Sequence, residues 1–232
     1  MRKLINYFSK GELALWICSV LAVVISFMMF DRESWITLAA SLVGVTSLIF
    51  AAKGHPAAQA LMIVFSVLYG IISWSFSYYG EMITYLGMSM PMAVFSLISW
   101  LRHPSDVKNE VQVNRLKPQE YVLAALLAII VTVVFYFVLK YFNTSNLIPS
   151  TISVTTSFAA VYFTFRRSQL YAAAYAANDV VLVILWLMAS AEDMRYISVA
   201  VCFMAFMVND IYGFINWRKM AKAQAERQAG SC

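Results

Sequence analysis

The sequence predicts an all-α membrane protein with eight transmembrane helices. Two parallel three-helix repeats are joined by one helix, in a 3+1+3 order, and one extra helix precedes them. Three observations predict this. Hydrophobic residues make up 62% of the 232 positions and charged residues 12%, against about 25% charged in soluble domains. That apolar excess overfills one soluble core and calls for a bilayer as solvent and partner. Eight continuous apolar runs are long enough to cross it. Finally, the basic residues fall on alternate connections.

Span 1 covers residues 12–30. The stretch before it, MRKLINYFSK, resembles the start of a signal peptide, but MMFDRESW follows where a small-residue cleavage site would stand. A retained span is therefore expected. Spans 2, 3 and 4 cover residues 35–52, 57–79 and 82–101, with very short turns between them. The longest connection, 102–120, is polar and holds Pro104 and Pro118, the composition of a hinge or surface linker. Spans 5 to 8 cover residues 121–142, 148–165, 170–190 and 194–217. The runs are continuously apolar and do not alternate, so they read as helices and not barrel strands.

The basic residues test the count. With the N-terminus inside, only Arg32, Lys140 and Arg195 fall outside, leaving 14 of the 17 Lys and Arg inside. The positive-inside bias predicts such a split. Both termini are then cytoplasmic, in a multi-pass protein. The net charge of +5 is small for this length and serves orientation; no nucleic-acid partner is expected. Cys18, Cys202 and Cys232 fit no disulfide or metal framework, and His55 and His103 are isolated, so neither a metal nor a cofactor is expected.

Spans 2–4 align weakly with spans 6–8. FAAKG stands against FTFRR, Trp74 against Trp186, SYYGEM against ASAEDM, and FSLISWLRH against YGFINWRKM. Two three-span units joined directly would be inverted. The intervening span 5 restores one orientation and makes the repeats parallel. The chain divides accordingly into 1–34 (N-terminal segment and extra helix), 35–103 (first repeat), 104–147 (linker and connecting helix), 148–217 (second repeat) and 218–232 (cytoplasmic tail).

Asn178 and Asp179 interrupt span 7, and Asn209 and Asp210 interrupt span 8. An Asp at a helix centre costs about 2.5–3.5 kcal/mol on insertion scales. Flanking Leu, Ile and Val return about 0.3–0.6 kcal/mol each, so both helices insert. Each carboxylate must then face protein or water. Tyr171, Tyr175, Asn178, Leu182 and Trp186 share one face of span 7, with Asp179 at its border. On span 8, Asn209, Tyr212 and Asn216 form one row and Asp210, Gly213 and Trp217 the next. Span 4 carries Thr84, Tyr85, Ser89 and Ser96 around Pro91, and broken helices are where transporters place substrates.

Single Ser, Thr or Asn residues in a bundle act more often as interhelical glue, and Trp35, Trp100 and Trp217 at span ends fit an interfacial belt. Two acids, two amides and an aromatic stripe together point to a solute site. Aromatic faces stack on flat heterocycles and attract cations, and amides match a carboxamide or sugar hydroxyls. The site residues expected are Asn178, Asn209, Tyr212, Trp186, Asp179, Asp210, Tyr85, Tyr175 and Tyr171. The solute is small, aromatic, hydroxylated and compatible with positive charge. A proton-coupled carrier using both Asp is one rival reading. An intramembrane aspartyl hydrolase, which needs the two carboxyls close together, is a remote one. No nucleophile, metal cluster or phosphate loop supports an enzyme.

The stretches YYGEMITYLGMSMPMAVFSLISWLRHP and VNDIYGFINW, with the earlier W…LVGVTSLIFAAKG, resemble the PnuC family of vitamin transporters over about residues 35–217. The resemblance implies a bacterial plasma-membrane protein of SWEET-like fold that forms homotrimers. It implies import of nicotinamide riboside, an NAD precursor, by facilitated diffusion driven by cytoplasmic phosphorylation. In the family two Trp commonly stand seven and four residues before the span-7 Asn. Here those positions hold Tyr171 and Ala174, which leaves the stacking ring open among Tyr171, Tyr175 and Trp186. The vitamin is open too, because related branches carry thiamine or riboflavin.

Overall fold

The computed structural model describes residues 7–75, 79–144 and 146–230. Arg2, Lys3, Cys232 and residues 76–78, at the end of span 3 and the start of SYYGEM, lie outside the described residues. Among the described residues, eight helices are long and apolar enough to cross a membrane: α1 (Lys10–Phe30), α2 (Trp35–Ala52), α3 (Ala57–Ser75), α4 (Tyr79–Arg102), α5 (Pro118–Tyr141), α6 (Leu147–Phe165), α7 (Tyr171–Ala189) and α8 (Tyr196–Gly230).

Local chemistry sets several boundaries. Ser9 Oγ accepts from Glu12 N at 3.2 Å while Glu12 Oε2 accepts from Ser9 N at 2.6 Å, a capping box that starts α1. Gly54 (φ 66°) and Arg167 (φ 55°) take left-handed conformations just after α2 and α6, ending both helices in matching turns. In α4, Pro91 follows a π-helical turn over Tyr85–Ser89, closed by a bond from Met90 N to Tyr85 O. A proline supplies no N–H to the helical ladder, and the widened turn accommodates the interruption.

Six helices close a ring: α2 packs on α3, α3 on α4, α4 on α6, α6 on α7, α7 on α8, and α8 on α2. The two helices outside the proposed repeats also lie outside the ring, with α1 on α8 and α2, and α5 mainly on α6. Most apolar side chains of α5 remain exposed, as a lipid-facing helix requires.

The units α2–α4 and α6–α8 exchange matching hydrogen bonds. Trp100 Nε1, at the end of α4, donates to Thr164 O of α6 at 2.9 Å. Trp217 Nε1, on α8, donates to Ala51 O of α2 at 2.8 Å. One residue earlier on each donor helix, Ser99 Oγ donates to Phe165 O and Asn216 Nδ2 to Ala52 O. Helix C-termini leave carbonyls without a full α-helical partner; Ala51 O and Thr164 O accept from the turns that follow them, from Gly54 N and Arg167 N, and also from an indole of the other unit. The donors and acceptors are the pairs that align FSLISWLRH with YGFINWRKM and FAAKG with FTFRR. Trp100 and Trp217 are 0% exposed. They are not belt residues, because the freed carbonyls draw their indoles inward; Trp35 alone of the three is exposed.

The linker after α4 is docked. Val111 N donates to Gly54 O and Asn114 N to Arg167 O, so it touches the turns after both α2 and α6. Gln224 accepts from Val113 N and donates to Val111 O and Glu110 Oε1. The apolar pattern predicts the end of span 8 at residue 217, yet α8 runs on to Gly230. The Lys-, Ala-, Gln- and Glu-rich extension favours helix and buries Met220, Ala221 and Gln224.

Candidate functional site

A small chamber lies inside the ring, and all six ring helices line it. Leu48 comes from α2, Met62 and Phe65 from α3, Tyr85 and Ser89 from α4, and Ser157 from α6. Tyr175, Asn178 and Asp179 come from α7, and Phe203, Phe206 and Asp210 from α8. Apolar faces thus surround a polar corner formed where α7 meets α8.

Asn178 Oδ1 accepts from Thr156 Oγ1 at 2.8 Å and Ser157 Oγ at 3.0 Å. This fixes which way the amide points and leaves its N–H donors for the chamber. The Asp179 and Asp210 carboxyls are within hydrogen-bonding reach of each other, and Asp179 Oδ2 is buried without a partner among the described residues. Two carboxyls so placed are stable together only with a proton or a cation between them. The lining holds no Lys or Arg.

The expected site residues separate into three groups. Asn178, Asp179, Asp210, Tyr85 and Tyr175 converge on the chamber. Asn209 and Tyr212 turn away from it. Asn209 Nδ2 donates to Ser19 Oγ of α1 and to Ala205 O, and the Tyr212 hydroxyl donates to Glu12 Oε1 of α1 at 2.8 Å. One residue along a helix is a turn of about 100°, so the rows of Asp210 and Asn209 on α8 meet different neighbours. Tyr171 and Trp186 lie beyond the chamber, in two aromatic plugs. Tyr171 packs with Trp217 at 4.7 Å and Trp100 at 6.5 Å between ring centroids, near the linker. At the other end, Trp186 packs edge-on to Tyr69 at 6.2 Å and against Tyr196 at 5.4 Å, while Tyr69 and Tyr85 are 4.4 Å apart.

The plugs leave a cavity of about 30 Å³, room for about one water. A nucleoside-sized solute fits only when the ring helices part.

Several lining residues escaped the sequence reading. Phe203 and Phe206 stand seven and four residues before Asp210, on the same face of α8. Met62, Phe65 and Tyr69 mark one face of α3 in the same way. Both stripes read as ordinary core until the acid on one of them is placed. Glu81 lies within SYYGEM of the repeat alignment and within the YYGEMITYLG stretch that carries the family resemblance, and neither singles it out. It is 2% exposed and sits one turn before Tyr85 on the same helix.

The family model described as nicotinamide mononucleotide transporter matches residues 34–219. A nicotinamide riboside transporter PnuC of Neisseria mucosa is 22% identical over 214 residues, covering 90% of this chain and 81% of that protein. The nicotinamide riboside transporter PnuC of Haemophilus influenzae is 20% identical over 192 residues, covering 82% of each. A crystal structure of the vitamin B3 transporter PnuC superposes with a TM-score of 0.82 at 20% identity, covering 94% of both chains. At that identity the superposition establishes the fold.

Proposed function

The chain belongs to the nicotinamide mononucleotide transporter (PnuC) family, and we propose that it carries nicotinamide riboside across the bacterial plasma membrane. The observation that carries the choice of solute is the charge of the chamber: two acids, Asp179 and Asp210, and no Lys or Arg in the lining. The riboside has a permanently cationic pyridinium ring, which balances the acid pair. The mononucleotide adds a phosphate of about −1.5 to −2 charges, which the same acids repel. The Asn178 amide suits the carboxamide or ribose hydroxyls, and the Tyr85 and Tyr175 rings offer stacking faces.

Transport follows from the ring. The two three-helix units meet at α4–α6 and α8–α2. Rocking at these seams opens one plug and then the other, as in alternating access between repeats. Movement is facilitated diffusion, made one-way by phosphorylation of the riboside in the cytoplasm. Both termini and the docked linker lie on that side, in keeping with the basic residues there. A homotrimer is part of the same proposal. Thiamine, also a cation, satisfies the charge rule; riboflavin, which is neutral, does not.

Uptake into liposomes tests this. Labelled riboside is expected to equilibrate and labelled mononucleotide to stay outside. Asn178→Ala is expected to raise KM roughly fivefold, for one lost hydrogen bond of about 1 kcal/mol. Entry of the mononucleotide, or exclusion of the riboside, refutes the reading. Accumulation above the outside concentration under an imposed pH gradient would instead establish proton coupling through the acid pair.

A further inference from the structure

Glu81 is a buried carboxyl within a membrane-spanning helix. Its Oε2 has no hydrogen-bond partner, and no ion pair reaches it among the described residues. Such a group is costly in hydrocarbon and marks an ion or substrate pathway by default. Asp193 by contrast, in the turn before α8, has Arg195 at 2.7 Å. Glu12, at the other end of the ring, is also buried, but Lys53 at 3.2 Å, Tyr212 and Ser9 satisfy it.

The position of Glu81 gives it a task. Glu81, Tyr85 and Ser89 step by four along α4, and the latter two line the chamber. The Tyr85 phenol lies within electrostatic reach of both Glu81 and Asp179, and Tyr69 within reach of Glu81. Glu81 is therefore one helical turn beyond Tyr85, toward the end of the ring away from the linker, and Tyr85 packs on Tyr69 at 4.4 Å. A positive solute passing the aromatic plug would go from one carboxyl toward the next, into a chamber whose described lining holds no Lys or Arg.

We propose that Glu81 determines charge specificity: its carboxylate is the counter-ion that admits a cationic solute past the aromatic plug and sets it above a neutral one of the same shape. This rests on the riboside reading. The aromatic rings recognise shape and the acids recognise charge, so the two are separable by experiment.

The test uses the full chain in lipid nanodiscs, titrated with nicotinamide riboside and with its dihydropyridine form, which has nearly the same outline and no ring charge. The native protein is expected to prefer the cation. Glu81→Gln is expected to weaken binding of the cation about tenfold, a loss of about 1.4 kcal/mol, and to change the neutral form by less than about twofold. Unchanged binding of the neutral form also shows that the variant is folded. Glu81→Asp is expected to retain most of the preference. Equal weakening of both forms by Glu81→Gln, an unweakened cation, or a native protein without charge preference each overturns the proposal. If the native protein binds neither form, the riboside reading itself fails and this inference fails with it.

Discussion

Removing the indole donors that cross between the two units should loosen one end of the ring by a calculable amount. In Trp100→Phe and Trp217→Phe the ring is retained and the N–H is lost. Thr164 O and Ala51 O each keep a second donor, Arg167 N at 3.0 Å and Gly54 N at 2.9 Å. Neither carbonyl is orphaned, so the penalty for a bare buried acceptor does not apply. The loss per site is the net value of one bond, about 1 kcal/mol. If the bond exists only while this end is closed, each substitution shifts the closed-to-open balance roughly fivefold. Two independent sites would shift it about 25-fold, and the 5.4 Å Trp100–Trp217 ring contact makes some departure from additivity expected. The assay places a reporter in the chamber by Ser157→Cys, with Cys18, Cys202 and Cys232 replaced by serine. The rate of modification is read with an impermeant thiol reagent applied from the linker side. Faster labelling in each single variant, and faster still in the double, is the expected result. A lowered melting temperature with unchanged labelling would show that the bonds hold the fold together but do not gate it, and would refute the reasoning.

Two further outcomes follow from groups near the linker end. Tyr212→Phe removes the hydroxyl that donates to the Glu12 carboxylate. It should cost about 1.5–3 kcal/mol of stability, the range for a hydrogen bond to a charged group, in thermal unfolding, and leave the KM for riboside unchanged. A raised KM without loss of stability would return Tyr212 to the solute site. His55 Nδ1 accepts from Ala57 N at 3.0 Å at the start of α3, and burial holds its pKa below the ordinary histidine value. The neutral ring is the one the fold selects, so this contribution is complete above about pH 6.5 and disappears as pH falls through the depressed value. The native protein should lose more melting temperature between pH 7.5 and 5 than His55→Asn; parallel curves would remove His55 as the cause.

The span count was legible because a bilayer imposes a length and a polarity on every crossing, whatever the partners. Lys53, Arg102, Arg166 and Arg218 stop spans where the sequence alone shows them. Asn178, Asp179 and Asp210 could be singled out for the same reason: a polar group in an apolar run needs a partner, and Asp179 and Asp210 find each other. Asn209 and Tyr212 were selected by the same rule, and the rule does not say which partner. Theirs are Ser19 and Glu12 on α1, a helix about 190 to 200 residues away in sequence. Trp100 and Trp217 carried interfacial composition, but the carbonyls that capture them belong to helices far off in the chain.

The sequence by itself determined that this chain crosses a membrane eight times, which ends carry the basic charge, and which buried polar residues need explaining. These are one-dimensional properties, set by transfer free energies residue by residue. Only the tertiary structure decided that six helices close a ring, that an aromatic cluster stands at each end of its chamber, and that Glu81 has no counter-charge among the described residues. Those depend on the rotation of each helix about its own axis, which packing against distant segments selects and local hydrophobicity leaves free.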